Sequence, residues 1–298
     1  MKEQRIAYFL GANSADGFYS LYDALIDEEN ANAFYILKGG PGCGKSTLMR
    51  QVAARMEAEG VAVEYILCSG DPDSLDGILI PEKRVAVVDG TAPHILEPTF
   101  PGIVGQYVNM GECYDYAGLK EVRADIIEAQ KAYRQSYVRA YQCIRAAWEV
   151  RQSGEEPFFT RVADHKIQKR VKGIVQREIP RKGGSGTRIE RFLSGISCQG
   201  RVCLQATVAA QCKRIYDLRD GVGLAWKLLA YLEEGIRELG VDVVVCLSPE
   251  NPKRIEHLLI PELSLAFVTN ASGLRTDRRI QMETMVEKTV LKENFVFM

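Results

Sequence analysis

The chain has 298 residues, of which 46 % are hydrophobic, and this composition excludes general disorder. Lysine and arginine number 38 against 39 aspartates and glutamates, so the overall charge does not indicate a nucleic-acid or membrane partner. Since no apolar run approaches the roughly 20 residues of a membrane span, and the first residues lack a secretory signal pattern, we expect a cytoplasmic protein.

Residues 33–47, AFYILKGGPGCGKST, carry the clearest motif. Ala33 to Lys38 is a short apolar run, typical of a buried parallel strand. A complete GxxxxGKS pattern follows it, and an apolar residue then recurs every four positions from Leu48 to Met56, as in a helix. A strand, a glycine-rich loop and a helix in this order predict a phosphate-binding loop.

Each part of this loop has a physical role in nucleotide binding. The glycines allow backbone amides to approach phosphate oxygens, and the helix N-terminus adds partial positive charge. Lys45 is predicted to stabilise charge on the β- and γ-phosphates of ATP, and Ser46 to ligate Mg²⁺. The predicted nucleotide-binding residues are Gly39, Gly40, Pro41, Gly42, Cys43, Gly44, Lys45, Ser46 and Thr47.

A second element, RVAVVDG at residues 84–90, supplies a candidate metal ligand. Asp89 stands at the carboxyl end of its apolar strand, where ligands bind in open α/β sheets. We predict that Asp89 holds Mg²⁺ together with Ser46, although Asp89-Gly90 is also an ordinary strand-ending turn. Many ATP-driven motors have a glutamate after this aspartate, and Gly90 at that position does not favour rapid hydrolysis.

The segment CSGDPDSLDG, residues 68–77, is rich in carboxylates and has two interpretations. It forms an Asp-Pro turn with a capped short helix, or one carboxylate faces the γ-phosphate and acts as a base. Asp71 and Asp76 are the candidates for the second role, with water or an acceptor hydroxyl as the group they position. His94, further along, is interpreted as a loop histidine, with a contact to the phosphates or to an acceptor as the alternative.

Residues 113–187 have a different pattern. Periodicity predicts a long helix over 118–152, a break at Ser153-Gly154, and a second helix over 158–178. Residues 161–188 contain nine basic and two acidic side chains, a net charge of +7. This charge fits a solvated helical face or a surface that contacts phosphates.

The chain contains an internal repeat. RIAYFLGANSADG (5–17) matches RIERFLSGISCQG (188–200), and 60–93 aligns with 240–273 with 11 of 34 positions identical. About two identities are expected by chance from average composition. We therefore predict α/β architecture with duplicated P-loop NTPase-like units and mostly parallel sheets. The domains are a nucleotide-binding domain (1–112), a basic helical insertion (113–187) and a degenerate P-loop-like domain (188–298).

The second copy has lost the residues that bind phosphate. Aligned with YILKGGPGCGKS, the second copy reads YDLRDGVGLAWK. The changed positions, first copy to second, are Gly39 to Asp220, Gly44 to Ala225, Lys45 to Trp226, Ser46 to Lys227 and Asp89 to Thr269. An aspartate where phosphate would lie predicts that the second loop binds no nucleotide.

The elements FLGANSADGFYSLYD, YILKGGPGCGKSTLM, CSGDPDSLDG, VVDGTAPHILEPTFPG and VNMGECYD occur in that order. In this the sequence resembles a group of poorly characterised bacterial tandem P-loop proteins, labelled ATPases or nucleotide-kinase-like proteins. The resemblance implies two P-loop NTPase-like halves joined by a helical insertion. Family members also carry a phosphate loop in the second half, from which this sequence departs.

Three functions follow from these features. The favoured one is a Mg²⁺-dependent ATP-binding protein with slow hydrolysis, whose second half is an inactive scaffold or regulator that contacts the first. The second is a kinase for a small-molecule or nucleotide acceptor, with the basic segment 158–188 as a lid. The third is an ATP-dependent switch, for which the +7 segment predicts salt-sensitive nucleic-acid binding; without a nucleic-acid motif this is the least favoured. ATP is favoured over GTP because no guanine-recognition motif is present.

Overall fold

The computed structural model describes residues 5–92 and 95–294. The described chain divides into two compact units. The first unit contains residues 5–145 and 195–202, and the second contains 146–194 and 203–294. Both are built from β-sheet and helices, so the predicted α/β class is confirmed. The division into 1–112, 113–187 and 188–298 stays a prediction.

The first unit contains a six-stranded sheet in the order β1-β5-β6-β7-β4-β8. All strands run parallel to their neighbours except β6, which is antiparallel to β5 and β7. The sheet is therefore mostly parallel, as predicted. The elements of this part are β1 (Ile6–Phe9), the hairpin β2 (Gly11–Ser14) and β3 (Gly17–Ser20), β4 (Ala33–Lys38), α1 (Lys45–Ala58), β5 (Glu64–Leu67), β6 (Leu75–Ile80), β7 (Val85–Asp89) and β8 (Gly105–Asn109).

Three helices follow: α2 (Tyr116–Glu121), α3 (Arg123–Glu155) and α4 (Arg161–Glu178). The predicted break at Ser153-Gly154 is wrong, because α3 continues through both residues and ends before a short 3₁₀ turn at Glu156–Phe158. One glycine costs a long helix only about 1 kcal/mol, whereas Pro157 cannot continue it. Among the described residues, no helix has both the length and the apolar composition that are needed to cross a membrane.

The second unit contains a sheet with the same arrangement, β16-β12-β15-β14-β13-β9. Here β14 is the strand antiparallel to both neighbours, as β6 is in the first sheet. The elements of the second repeat are β9 (Arg188–Arg191), the hairpin β10 (Ser194–Ser197) and β11 (Gly200–Cys203), α5 (Gln205–Gln211), β12 (Arg214–Arg219), α6 (Ala225–Arg237), β13 (Val243–Leu247), β14 (Ile255–Ile260), β15 (Leu265–Val268), β16 (Arg278–Gln281) and α7 (Lys288–Asn294).

The two sheets also share local irregularities. Each has a register shift in the strand that precedes its antiparallel strand in the chain, in β5 between Ile66 and Leu67 and in β13 between Cys246 and Leu247. Each has a left-handed residue after a Pro-led 3₁₀ turn, Arg84 with φ 52° and Ser264 with φ 49°. This agreement, at positions that the sequence repeat aligns, supports a duplicated α/β unit.

The basic helix α4 packs against α6. Its buried residues, Ala163, Ile167, Val171 and Ile174, recur at intervals of three or four and form one apolar stripe. Thr160 caps the helix by accepting a hydrogen bond from the Ala163 amide at 3.1 Å. The basic side chains lie on the remaining surface of the helix, so α4 is a packed element of the second unit.

The hairpin β10–β11 of the second repeat is partly built into the first unit, which contains residues 195–202. The Asn13 side chain donates to the Ile196 carbonyl at 2.7 Å, and the Cys198 amide donates to the Gly70 carbonyl at 3.1 Å. The Gln199 side chain also donates to the Asp73 carboxylate at 2.9 Å. The first repeat therefore depends on a segment of the second for part of its hydrogen bonding.

The burial of α6 in the second unit can be tested by substitution. Leu232 is fully buried, so Leu232→Ala is expected to lower the free energy of unfolding by about 2–5 kcal/mol through lost contacts and a cavity. The exposed neighbour Glu234 is the matched control, and Glu234→Ala is expected to change it by no more than about 0.5 kcal/mol. Urea denaturation followed by circular dichroism measures both, and equal effects would contradict the packing described.

Candidate functional site

The glycine-rich loop, residues 39–46, connects the carboxyl end of β4 to α1. In the first sheet β4 lies between β7 and β8, and both neighbours run parallel to it. Gly42 has φ 80° and Gly44 has φ 90°, values that side chains disfavour. The glycines at these two positions are therefore required by the shape of the loop.

The N-terminus of α1 is suited to an anion. The helix is 14 residues long and begins at Lys45, and its N-cap residue, Gly44, provides no side-chain cap in the described structure. The first amides of a helix have no partner within the helix and carry its partial positive charge. A phosphate group can satisfy both the hydrogen-bonding capacity and the charge of this terminus.

Lys45 lies under the loop and is only 8 % exposed. Its Nζ donates to the carbonyls of Gly39 at 2.6 Å and Gly40 at 2.9 Å, and lies 3.4 Å from a carboxylate oxygen of Asp89. The structure thus brings together two of the charged residues that the sequence singled out, Lys45 and Asp89. A buried ammonium group beside one carboxylate provides a cation at the edge of the glycine-rich loop.

Asp89 ends β7, and its pairing register places it opposite Leu37 of β4. Its second carboxylate oxygen accepts a hydrogen bond from the Thr91 amide at 2.8 Å. The Thr91 hydroxyl donates to the Gly39 carbonyl, also at 2.8 Å. The turn after β7 is thereby tied to the start of the glycine-rich loop, which fixes Asp89 beside Lys45.

The remaining loop residues differ in exposure. Ser46 is half-buried, and its hydroxyl accepts from the Leu75 amide at 3.0 Å. The Cys43 sulfur, also half-buried, lies 3.7 Å from Lys45 Nζ. Pro41, Gly42 and Thr47 are exposed. Ser46 and Thr47 lie in the first turn of α1, and Ser46 is held by the first residue of β6.

The two other predicted carboxylates already have partners. Asp71 closes an exposed turn, accepting from the Ser74 hydroxyl at 2.8 Å and the Asp73 amide at 3.2 Å. Asp76 is buried in β6 and accepts from the Tyr22 hydroxyl at 2.8 Å. The turn interpretation of Asp71 fits this geometry, and a role for either carboxylate in positioning water stays a prediction. His94 lies outside the described residues.

Two contacts of the loop were not predicted. The Tyr114 hydroxyl accepts a hydrogen bond from the Gly40 amide, and the Thr91 hydroxyl reaches Gly39. Tyr114 follows the 3₁₀ turn after β8, so the sequence places it far from the loop that it contacts. Its sequence signals are its position after a strand that neighbours β4 in the sheet and its place in the segment VNMGECYD.

The equivalent loop of the second unit contains its own anion. The Asp220 carboxylate accepts from the amides of Ala225 at 2.8 Å, Leu224 at 2.9 Å and Val222 at 3.4 Å. Burial raises the pKa of this carboxyl group, while its backbone hydrogen bonds oppose the rise. A carboxylate that occupies these amides leaves them unavailable to phosphate, in agreement with the predicted loss of function.

Large side chains fill the space around the second loop. Glu155 packs against Gly223 and forms ion pairs with Arg151 at 2.7 Å and Arg254 at 2.5 Å. The Arg254 guanidinium lies 5.0 Å from the ring centre of Trp226, the residue that aligns with Lys45. Cation–π stacking and a buried ion pair therefore fill the space around the second loop.

The comparisons with known proteins give one limited likeness. Residues 20–78 match the family model described as Nephrocystin 3, N-terminal, and this segment contains β4, the glycine-rich loop and α1. No curated protein and no solved structure matches the chain. Because the matched segment is much less than half of the chain, the likeness concerns the region of the loop alone.

Asp220 provides a test of the second loop. Asp220→Gly removes the acceptor of three amides and is expected to lower the free energy of unfolding by about 1–3 kcal/mol. Asp220→Asn keeps a side-chain oxygen and is expected to lose less. Thermal melting of both variants measures the difference, and a glycine variant as stable as the natural protein would contradict this role.

The half-buried cysteine near Asp76, Cys68, gives a prediction on pH. Burial, and then the nearby Asp76 carboxylate, raise the pKa of the Cys68 thiol to about 12. At pH 8 a thiol with that pKa is about one part in 10,000 thiolate, so Cys68 is expected to react slowly with iodoacetamide. Its reaction should accelerate as pH rises towards 12 under conditions that keep the fold.

Exposed Cys143 is the internal control for this experiment, with mass spectrometry of the native and unfolded protein as the readout. Similar rates at Cys68 and Cys143 in the native protein at pH 8 would contradict the environment described for Cys68.

Proposed function

We propose that the protein binds Mg²⁺-ATP at the glycine-rich loop of its first unit and hydrolyses it slowly. The observation that carries this proposal is the position of Lys45 Nζ, 3.4 Å from Asp89 and hydrogen-bonded to two carbonyls of the loop at the start of α1. A cation, an uncapped helix N-terminus and a carboxylate at the end of the adjacent strand are the groups that bind a nucleotide with its metal ion.

The donor set fits a magnesium ion. The Ser46 hydroxyl and the Asp89 carboxylate are hard oxygen ligands of the kind that Mg²⁺ prefers, with water and phosphate oxygens as further ligands. When bound, the metal ion would neutralise charge on the phosphates. Lys45 would exchange its contacts with the Gly39 and Gly40 carbonyls for contacts with phosphate oxygens, while Thr91 keeps the Asp89 turn in place.

Gly90 supports slow rather than rapid hydrolysis. A Cβ atom at this position would collide with the Ile36 side chain, so the backbone here has no room for a glutamate directly after Asp89. Asp71 and Asp76 have hydrogen bonds to Ser74 and Tyr22. Neither is therefore assigned as a strong base in the proposed reaction, which would depend on phosphate positioning and charge neutralisation.

The second unit would serve as an inactive counterpart. Asp220 in its loop and Trp226 at the position of Lys45 support a role without nucleotide. We therefore propose that each chain binds one nucleotide. On its motifs, we also propose that the protein belongs to the bacterial tandem P-loop family. A lid role for the basic segment is not included, because α4 buries its apolar stripe against α6.

Lys45→Ala is expected to weaken Mg²⁺-ATP binding at least tenfold and to abolish phosphate release, because the variant loses the cation at the loop. The matched control is Lys227→Ala in the second repeat, which is expected to leave binding unchanged. Isothermal titration gives the affinity and the number of sites, and phosphate release gives the activity.

Tracking the γ-phosphate label in a pool of metabolites extends the same experiment. Free labelled phosphate that depends on Lys45 supports hydrolysis. A labelled metabolite would identify a kinase instead, and ATP binding with neither product would contradict the hydrolytic part. Two nucleotides per chain, or equal loss in both variants, would contradict the assignment of the site to the first unit.

A further inference from the structure

One face of α4 carries cations that the proposed function does not use. Lys166, Lys169, Arg170 and Arg177 lie at helical spacings of three, four and seven residues, so they share one side of the helix. Gly173 lies among them, and a Cβ atom there would meet open space. Because Gly173 has no side chain, the helix surface has a depression in the middle of a row of positive charges.

This row faces a cavity of the second unit. Lys166, Lys169, Arg170 and Arg177 line a cavity of about 430 Å³ together with Thr284 and Met285. A neighbouring cavity of about 240 Å³ is lined by Arg170 and Arg177 again and by Arg278 and Arg279 of β16. The cavities share two arginines and are therefore adjacent, and we call the surface that they occupy together the basic groove; its cations are Lys166, Lys169, Arg170, Arg177, Arg278 and Arg279.

The carboxylates at the groove do not balance its charge. Glu178 lies 3.1 Å from Arg177 and is also paired with Arg214 at 2.7 Å. Asp217 lies 3.2 Å from Arg279 and is also paired with Arg219 at 2.7 Å. Counting these outer arginines, eight cations have two carboxylates as ion-pair partners among the described residues.

The remaining groove cations have no carboxylate partner in the described structure. Lys166 donates to the Val286 carbonyl at 3.4 Å, and Arg278 lies 5.9 Å from the ring centre of Tyr216. Lys169 and Arg170 are exposed, and no acidic group among the described residues lies within ion-pair distance of them. The groove consequently keeps a strong positive potential next to solvent.

The spacing of the charges selects a linear ligand. Lys166 and Arg177 are eleven residues apart, which is about 16 Å along a helix with its rise of 1.5 Å per residue. Charges spread over this length cannot converge on one phosphate, whereas successive phosphates of an extended chain can meet them in turn. The apolar residues that line the groove, Ile174, Ile280 and Met285, are all buried. The surface therefore offers no apolar side chain for insertion into a lipid layer.

We infer that the basic groove binds the phosphate backbone of a single-stranded nucleic acid. Binding would be independent of base sequence, because Tyr216, the aromatic residue that lines the groove, is buried and offers no face for base stacking. The basic groove belongs to the second unit, which does not contain the glycine-rich loop. Nucleic-acid binding and ATP binding can therefore be tested independently of each other.

The test is fluorescence anisotropy with a labelled 20-nucleotide single strand of mixed sequence, over a series of salt concentrations and without ATP. If the four cations without carboxylate partners each neutralise one phosphate, the plot of log affinity against log salt has a slope of about −3. Lys169→Glu with Arg170→Glu is expected to reduce this slope to about half and to weaken binding at least tenfold at the lowest salt.

The matched control is Lys120→Glu with Lys131→Glu, which makes the same change in net charge on exposed residues of the first unit. This control is expected to keep the slope and to bind within about twofold of the natural protein. Circular dichroism melting checks that both double variants fold.

Four results would overturn the inference. Three concern the strand: an affinity that does not change with salt, an equal loss in both double variants, or displacement of the strand by inorganic phosphate at a concentration equal to that of the strand's phosphate groups. The last would indicate a site for single anions. Binding to anionic vesicles in place of the strand, with the same dependence on Lys169 and Arg170, would assign the groove to membranes and would also overturn it.

Discussion

The two equivalent loops are distinguished by what meets the amides at the start of the following helix. At α1 the amides have no side-chain cap, and Lys45 lies beside Asp89 under the loop. At α6 the Asp220 carboxylate accepts from three of them. The first amides of a helix require a hydrogen-bond acceptor, and in the second repeat a side chain of the protein itself provides it. The proposed division into a nucleotide-binding half and a structural half depends on this one difference in hydrogen bonding.

The two loops also differ in the side chains that pack around them. Once the second loop has an internal acceptor, its surroundings no longer need to admit a ligand, and Glu155, Trp226 and Arg254 fill the space with an ion pair and cation–π contacts. In the first repeat the corresponding volume stays polar, with hydroxyl groups from Thr91 and Tyr114 directed at the loop backbone. The same topology therefore surrounds one loop with packed large side chains and the other with hydroxyl and ammonium groups that contact the loop backbone.

Local sequence predicted the parts of the structure that local interactions control. The β4 strand, the glycine-rich loop and α1 follow from an apolar run, glycines at positive φ and helical periodicity, and the repeat predicted the matching sheets. The contacts of Asp76 with Tyr22 and of Tyr114 with Gly40 join residues far apart in the chain, so no periodicity encodes them. The end of α3 was misplaced because glycine weakens a long helix less than proline does.

The hairpin contributed by the second repeat has a consequence for synthesis on the ribosome. The loop before β6, whose Leu75 amide donates to Ser46, obtains hydrogen bonds at Gly70 and Asp73 from Cys198 and Gln199. A nascent chain that has only completed its first repeat still lacks both donors. The environment of Ser46 is therefore completed late in translation, after more than 190 residues have been joined, and a gene cut at the repeat border would encode a first half with unfinished loops.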